Sequence, residues 1–263
     1  MLPVNADTLR AIAPRFSGTR GERQGEIIAI AGEALAGTLE RYAINTPLRI
    51  AHFLAQTAHE SAGFQTTEEF ASGEAYEGRT DLGNTEPGDG RRFKGRGLIQ
   101  LTGRANYKSL GATVGIDLEA EPDRAAEPAL SLVIACEYWQ KRGIGDHADR
   151  DDIIAATWSV NGGLNGLDDR IRYLVKAKAE LANALFGEPA AFPLLREGAR
   201  GPVVARLQFA LRDAGVATGI DGDFGPGTKA AVMTFQTQTG LVADGVVGPA
   251  SWSKLGIKLE AHA

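Results

Sequence analysis

The stretch 51–64, AHFLAQTAHESAGF, constrains the fold most, because it places a single carboxylate, that of Glu60, on an otherwise apolar helix of small residues. Thr46 can cap the start of this helix, and Pro47 suits its first position, where a missing N–H costs nothing. Gly63 offers a stop signal. The sequence therefore predicts a buried helix with Glu60 in its last turn.

Glu60 has the features of a general acid. At helical spacing it shares a face with four residues that direct it at protein or at a cleft wall: Phe53, Gln56, Thr57 and Phe64. Partial burial and the negative end of the helix dipole both disfavour the ionised form, so we expect a protonated carboxyl near neutral pH. A general acid requires that state. A surface glutamate beside His59 on an ordinary helix is the alternative interpretation.

Composition indicates a soluble globular protein with one large domain, or a larger and a smaller one, since 43% of the 263 residues are hydrophobic. The net charge is −5, and the only local basic excess, seven Lys/Arg against three Asp/Glu in 79–108, is interpreted as the lip of a cleft. No basic face for nucleic acid is expected. Cys136 is the only cysteine, which excludes an intramolecular disulfide and a thiolate metal cluster.

The N-terminal segment MLPVNADTLRAIAPRF has neither the charged start nor the apolar centre of a signal peptide, and no run of about 18 apolar residues occurs. We therefore expect synthesis in the cytoplasm, no insertion into a membrane, and export only with outside help. We also expect a monomer.

Apolar periodicity predicts a mainly α fold, with scaffold helices over 7–14, 22–42, 130–142, 151–163 and 168–186. Residues 66–95 contain six glycines and almost no periodicity. Loops of this length inside compact domains are uncommon and are usually functional or disordered. We interpret this one as a loop that faces the substrate.

The stretch GRGLIQLTGRANY alternates briefly, with Leu98, Gln100 and Thr102 on one side. An extended segment here would direct Gln100 and Thr102 together into a cleft. A phosphate-binding loop is disfavoured, because the third glycine of the dinucleotide motif is missing and no strand precedes it. Asn161, before two glycines, is either a helix cap or a substrate-binding residue.

The C-terminal part repeats one pattern, DGDFGPGTKAAVMTF at 221–235 and DGVVGPASWSKL at 244–255. Each is a turn that opens into a helix. Together with 203–215 they predict a three-helix module whose buried residues are Leu207, Leu211, Val232, Phe235, Trp252 and Leu255. The module has no titratable cluster, which favours binding over catalysis. We predict a catalytic domain over 1–187, a linker over 188–195 and a binding domain over 196–263.

The motifs HESAGF, GDGRRFKGRGLIQLTGRANY and NGGLNGLDDRI together resemble glycoside hydrolase family 19, in the chitinase-like lysozyme type found in phage endolysins and bacterial relatives. The tail resembles the small helical peptidoglycan-binding domain of many cell-wall hydrolases. The resemblance implies a lysozyme-like helical catalytic domain followed by a three-helix binding domain.

By this resemblance, Glu60 is the general acid, Glu69 is the base that activates a water, and Thr102 helps to hold that water. Glu68 stands beside Glu69 as the alternative base. The positions that match the sugar-binding cleft are His59, Gln100, Asn106, Tyr107, Asn161 and Arg170. No cofactor is implied, and the histidines His52, His59, His147 and His262 form no HExxH or comparable metal motif.

The expected activity is inverting hydrolysis of the β-1,4 bonds of peptidoglycan glycan strands by a phage-type endolysin, released to the wall through a holin-type membrane lesion. Inversion predicts carboxyl groups roughly 6.5–9.5 Å apart. Three alternatives remain open: a chitinase, a lytic transglycosylase that needs no second carboxylate, and a non-catalytic wall-binding protein.

Overall fold

The structure, a computed structural model, describes residues 3–186 and 194–255. It divides into two compact units, Met1–Ala177 and Lys178–Ala263. Most of the predicted linker 188–195 lies outside the described residues, as does His262. The exact domain limits therefore remain predictions.

The described residues are mainly helical, which confirms the predicted fold class. The helices that begin in the first unit are α1 Ala6–Ile12, α2 Gly18–Arg41, α3 Pro47–Glu60, α4 Asp89–Arg92, α5 Arg104–Val114, α6 Pro128–Lys141, α7 Ile144–Asp149, α8 Ile153–Asn161 and α9 Leu167–Phe186. Short 3-10 helices cover Glu74–Tyr76, Thr80–Leu82 and Pro122–Ala126. The helices α4, α5 and α7 were not predicted.

The core of the first unit lies around α2, which packs against α1 and α6. The apolar residues whose periodicity predicted the helix over 22–42 are all buried: Ile27, Ile28, Ala31, Leu35 and Leu39. Helix α3 packs against α7 and α8. It begins as predicted, with Pro47 at its first position and the Thr46 hydroxyl accepting the Arg49 N–H at 3.2 Å.

The predicted extended segment at 98–102 is wrong. Residues 97–100 form a turn between Arg96 and Leu101, whose backbones exchange two hydrogen bonds of 3.1 and 2.7 Å. Gln100 has a φ of +53°, which no strand residue adopts. The turn buries Leu98, Ile99 and Leu101 together, whereas an extended segment would place them on two opposite faces.

The long non-periodic loop is an ordered lobe, residues 66–95, held by side chains that bond to the backbone. Buried Asn84 donates to the Tyr76 carbonyl at 2.8 Å and accepts the Arg104 N–H at 2.9 Å. Buried Asp89 accepts two backbone N–H groups and forms a paired contact with the Arg104 guanidinium at 2.5 and 2.9 Å. This ion pair holds the pKa of the Asp89 carboxyl below its usual range.

The basic excess at 79–108 is largely neutralised by neighbouring carboxylates. Arg79 pairs with Asp81, Arg91 with Glu74, Lys94 with Glu68, Arg96 with Asp123 and Arg104 with Asp89 and Glu119. These cations stabilise the lobe and its surroundings, so they do not form a free basic face.

The second unit contains α10 Pro202–Asp213, α11 Pro226–Gln238 and α12 Pro249–Lys254, each with a Gly-Pro start. The predicted core residues Leu207, Leu211, Val232, Phe235 and Trp252 are buried, and Leu255 packs against them half-buried.

The sequence repeat in the second unit has a structural counterpart in two buried glutamines. Gln208 donates to the Asp221 carboxylate and accepts the backbone N–H of Gly222, and Gln236 does the same with Asp244 and Gly245. Each Asp-Gly turn is thus fixed to a helix by one amide side chain. No helix among the described residues has the length and apolar character needed to span a membrane.

Candidate active site

Glu60 is the last residue of α3 and is held by a buried arginine from α9. Arg170 is fully buried, and its guanidinium donates to Glu60 Oε1 at 2.5 Å and to the Gln56 side-chain oxygen. Gln56 donates in turn to the Thr157 hydroxyl on α8 at 3.2 Å. Three helices therefore fix the orientation of the Glu60 carboxyl, which keeps 17% of its side-chain surface exposed.

The contact with Arg170 corrects one expectation. Arg170 was predicted to line the sugar cleft, but its side chain is inaccessible and bonds to Glu60 and Gln56, so it is a positioning residue. Arg170 lies 110 residues from Glu60 in the chain, so no local sequence pattern indicates the contact.

His59 faces α9 next to this ion pair. Its Nδ1 lies 2.7 Å from an oxygen of Asp169, and its ring fills the space in which a side chain on Gly166 would stand, 2.1 Å from the ideal Cβ position. The ring is therefore committed to contacts within the protein, although a quarter of the side chain is exposed. The structure places His59 beside the candidate acid but gives it a packing role.

Glu69 sits at the start of the lobe, where its carboxylate accepts two hydrogen bonds. The Gly95 N–H donates to Oε1 at 3.0 Å, and the Tyr76 hydroxyl donates to Oε2 at 3.0 Å. Burial and then this hydrogen bond to Glu69 raise the pKa of Tyr76, so its hydroxyl keeps the donated proton. These two donors fix the orientation of the Glu69 carboxylate.

Gly95 allows Glu69 and Gln100 to approach each other. A Cβ at Gly95 would stand 2.8 Å from the Gln100 side-chain oxygen and 3.3 Å from Glu69 Oε2, so both oxygens converge on this glycine. The alternative base, Glu68, instead forms an ion pair with Lys94 at 2.9 Å. This difference in partners favours Glu69 as the residue available for chemistry.

Thr102 and Asn106 lie on the same side as Gln100. The Thr102 hydroxyl donates to the Gln100 carbonyl at 2.8 Å, which leaves its oxygen able to accept a hydrogen bond from a water. The Asn106 amide donates to the Thr102 carbonyl at 2.7 Å, and Asn106 is exposed. The structure thus brings together four predicted residues: Glu69, Gln100, Thr102 and Asn106.

Tyr107 is a core residue, and its predicted role in sugar binding is wrong. Its side chain is fully buried, its ring packs edge-on against Phe93 at 5.3 Å, and its hydroxyl donates to the Lys94 carbonyl at 2.7 Å. Burial raises its pKa to about 12. Through its bond to the Lys94 carbonyl, Tyr107 supports the segment that leads into the turn at 97–100.

Asn161 ends α8 with an exposed side chain. The left-handed residue that closes the helix is Gly162, with a φ of +74°, whose N–H donates to the Trp158 carbonyl. The glycine therefore supplies the cap without the Asn161 amide. Of the two interpretations of Asn161, this arrangement favours substrate binding.

The segment that joins the two carboxylates was not recognised from the sequence. Ala62, Gly63 and Phe64 all have positive φ, between +52° and +75°. Such values are costly for residues with side chains and persist where the surroundings enforce them. Here Gln24 donates to the Gly63 carbonyl at 2.6 Å, and a Cβ on Gly63 would collide with Pro14 at 2.4 Å. Three consecutive left-handed residues thus set the path from Glu60 to Glu69.

No group of three or more His, Cys, Asp or Glu side chains that could hold a metal ion occurs in 3–186 and 194–255. Cys136 is buried, and burial raises the pKa of its thiol.

The family model of chitinase class I, glycoside hydrolase family 19, matches residues 28–165, more than half of the chain. The chain belongs to glycoside hydrolase family 19. It is a chitinase-like hydrolase, and a peptidoglycan-binding domain model matches its residues 200–255.

Two relatives illustrate the two parts of this family 19 hydrolase. A glycosyl hydrolase family 19 domain-containing protein of Haemophilus influenzae is 29% identical over 171 residues, 53% of this chain and 84% of that protein. The zinc D-Ala-D-Ala carboxypeptidase of Streptomyces albus G is 47% identical over 64 residues, 23% of this chain and 25% of that protein.

The fold has a solved counterpart in chitinase C from Streptomyces griseus, with a TM-score of 0.50 and 23% sequence identity. The match covers 68% of this chain and 76% of that structure. It confirms the fold of the family 19 domain that the sequence motifs predicted.

Proposed function

We propose that this family 19 hydrolase cuts the β-1,4 bonds of bacterial peptidoglycan glycan strands by an inverting two-carboxylate mechanism. The observation that carries the proposal is the presence, in one chain, of a family 19 domain and a peptidoglycan-binding domain. The two carboxylates, Glu60 on α3 and Glu69 on the lobe, supply the acid and the base.

In the proposed reaction, Glu60 donates its proton to the glycosidic oxygen while the bond from this oxygen to the anomeric carbon breaks. Arg170 occupies Oε1 of Glu60, so the proton is carried by Oε2. On the other face of the sugar ring, Glu69 takes a proton from a water whose oxygen attacks the anomeric carbon. The Thr102 hydroxyl accepts a hydrogen bond from this water and orients it.

Chitin is the second candidate substrate, because the matching family model is described as chitinase class I. Both polymers are β-1,4-linked N-acetylhexosamine chains. Incubating the full chain in parallel with purified sacculi and with colloidal chitin tests the choice. We expect faster release of soluble fragments from sacculi, and release from chitin alone would contradict the proposal.

The masses of the released fragments separate the remaining alternatives. Hydrolysis adds one water to each cut and leaves a reducing end, whereas a lytic transglycosylase leaves an anhydro sugar at unchanged total mass. A non-catalytic wall-binding protein would release nothing from sacculi at any pH.

The second unit would hold the wall peptide or glycan near its Asp-Gly turns. A groove of about 300 Å³ lies there, lined by Ala217, Thr218, Gly219, Asp221, Asp223, Gly225, Gly227 and Thr228. Deleting the residues after 189 should weaken sedimentation with sacculi while leaving hydrolysis of soluble chito-oligosaccharides nearly unchanged. Loss of that activity in a folded truncation would show that the tail completes the active site.

We further propose that the protein is an endolysin of bacteriophage type, made in the host cytoplasm as a monomer and released to the wall by a holin-type lesion. The resemblance of its motifs to phage endolysins supports this role. Added from outside, the protein should lyse chloroform-permeabilised Gram-negative cells but not intact ones. Equal lysis of both would contradict the need for a lesion.

A further inference from the structure

Trp158 stands out because it is a large aromatic side chain that the protein leaves in contact with solvent. It is 58% exposed, whereas the other two tryptophans, Trp139 and Trp252, are at most 3% exposed. Ile154, one turn earlier on α8, is 55% exposed, and Leu164 just beyond the helix is 44% exposed. This exposed set, Ile154, Trp158 and Leu164, we name the α8 patch.

The α8 patch lies on the helix face that ends at Asn161, a residue predicted to bind substrate. Ile154, Trp158 and Asn161 follow one another at intervals of four and three residues, which places them on one face of α8. Thr157, adjacent to Trp158, accepts the hydrogen bond from Gln56, the residue that also contacts the Arg170 partner of Glu60. The face that carries Trp158 therefore borders the part of α8 that supports the acid.

The backbone of the patch is held in place from α6. The Tyr138 hydroxyl donates to the Val160 carbonyl at 2.8 Å, and the Arg142 guanidinium donates to the Ser159 carbonyl at 3.0 Å. Both acceptors lie within two residues of Trp158, on its C-terminal side. A fixed backbone lowers the entropic cost of presenting the indole to a ligand.

The chemistry of the patch matches an uncharged sugar chain. Residues 153–167, IIAATWSVNGGLNGL, contain no charged residue in a chain in which 23% of residues are charged. Asn161 and Asn165 are both exposed, and Asn161 lies one turn after Trp158 on the same face of α8. Sugar rings combine an apolar C–H face, which packs on an aromatic ring, with a rim of hydroxyl and N-acetyl groups that bond to amides.

A second protein chain fits the patch less well than a sugar does. Large aromatic side chains bury about 150–250 Å² each, so a patch of three apolar residues provides far less than the roughly 800 Å² per partner of a stable protein interface. One indole face, by contrast, is comparable in size to one pyranose ring.

From this arrangement we infer that Trp158 is a sugar-stacking residue that extends the glycan-binding surface of the active site along α8. The inference rests on the proposed function, since it assumes a strand of β-1,4-linked N-acetylhexosamines. Its occupant is a sugar unit remote from the cleaved bond, so long substrates should depend on Trp158 more than short ones.

The binding test uses the fluorescence of the full chain carrying Glu60→Gln, because Trp158 is the one tryptophan of three that a quencher in solution reaches readily. The hexamer of β-1,4-linked N-acetylglucosamine should protect this emission from acrylamide, and the dimer should protect it less. Unchanged quenching at saturating hexamer would overturn the inference.

The kinetic test compares Trp158→Ala and Trp158→Phe with Ile30→Ala, which removes an exposed apolar side chain from α2. Trp158→Ala should raise KM for the hexamer about tenfold or more with kcat little changed, since losing an aromatic anchor commonly costs 1.4 kcal/mol or more, a factor of ten. Trp158→Phe should restore most of the loss, and Ile30→Ala should match the wild type.

The outcomes separate this inference from the proposed function. If the wild type hydrolyses glycan but Trp158→Ala has an unchanged KM, the sugar-stacking role is wrong and the proposed function stands. If the wild type hydrolyses no glycan, the proposed function fails, and the quenching measurement still decides whether Trp158 binds sugar. Equal losses in the Ala and Phe variants would indicate a structural role for Trp158 and would contradict stacking.

Discussion

The two candidate catalytic carboxylates are held in different ways. Glu60 ends a helix and is fixed by a fully buried arginine from another helix, while Glu69 lies on a lobe and is fixed by one backbone N–H and one tyrosine. The acid thus belongs to the helical core. The base depends on a lobe that is itself held by ion pairs and by side-chain bonds to its backbone.

The effects of substitutions on catalysis and on the stability of the lobe should therefore separate. Changes at Glu60 should affect the reaction without weakening the lobe, whereas changes in the lobe should affect Glu69 through its position.

The largest effect is expected for Glu60→Gln, which keeps the size of the side chain but removes the proton. Positioned acid catalysis is typically worth about 10²–10⁴-fold, so the rate of sacculus hydrolysis should fall by a factor in this range while sedimentation with sacculi persists. Glu60 would be a structural residue if the variant kept more than about a tenth of wild-type activity, a loss smaller than this range.

On the lobe side, Glu69→Gln should also cause a severe loss of hydrolysis, because an amide cannot take a proton from water. Glu68→Gln is the matched control, since Glu68 pairs with Lys94 and has no proposed chemical role. Its activity should be close to wild type. The reverse order of the two variants would make Glu68 the base.

The lobe itself can be weakened at Asp89 without touching either carboxylate. Removing one partner of a buried ion pair costs roughly 3–5 kcal/mol, so Asp89→Asn should lower the melting temperature clearly at pH 7. The exposed pair of Asp81 and Arg79 provides the control, and Asp81→Asn should change the melting temperature little.

The pH dependence of this effect follows from the lowered pKa of Asp89. The stabilisation by its ionised carboxylate is complete above the unfolded-state pKa of about 3.9 and is lost as the pH falls through the lower folded-state pKa. The melting-temperature difference between wild type and Asp89→Asn should therefore shrink as the pH falls from about 3.9 towards the folded-state pKa of Asp89. A constant difference from pH 7 down to the most acidic measurable pH would contradict the assigned cause.

The smallest effect is expected for Thr102→Ala. It removes one hydroxyl that orients the water but leaves both proton-transfer groups, so kcat should fall less than in either glutamine variant. Thr102→Ser, which keeps the hydroxyl, should stay near wild type. Equal losses in both variants would show that the methyl group, and hence packing, is what matters.

The same contrast explains how much could be predicted from the sequence. Helix α3 and its start at Thr46 and Pro47 follow from local rules, and the structure agrees. The burial of Tyr107 and Arg170 does not, because their partners Lys94 and Glu60 are distant in the chain or reached through a turn. Periodicity indicates which face of a helix or strand is buried, but it does not indicate contacts between residues distant in the chain.

The lobe shows the same limit from another direction. Its order comes from Asn84, Glu77 and Asp89, which bond to backbone groups of a non-periodic segment. Glu69 was predicted there from the resemblance to family motifs, since no periodic pattern in the lobe indicates it. The left-handed run at 62–64 went unnoticed, because only Gly63 in it is a residue that suggests positive φ.

The configuration of the sugar that the enzyme releases shows whether two carboxylates act on opposite faces of one sugar ring. Proton NMR of a soluble N-acetylglucosamine oligomer in the first minutes of hydrolysis, before mutarotation, reports the configuration of the new reducing end. An inverting mechanism releases the α anomer, inverted from the β linkage, and we expect this result. Initial release of the β anomer would contradict it and would indicate a retaining mechanism with a covalent or substrate-assisted intermediate.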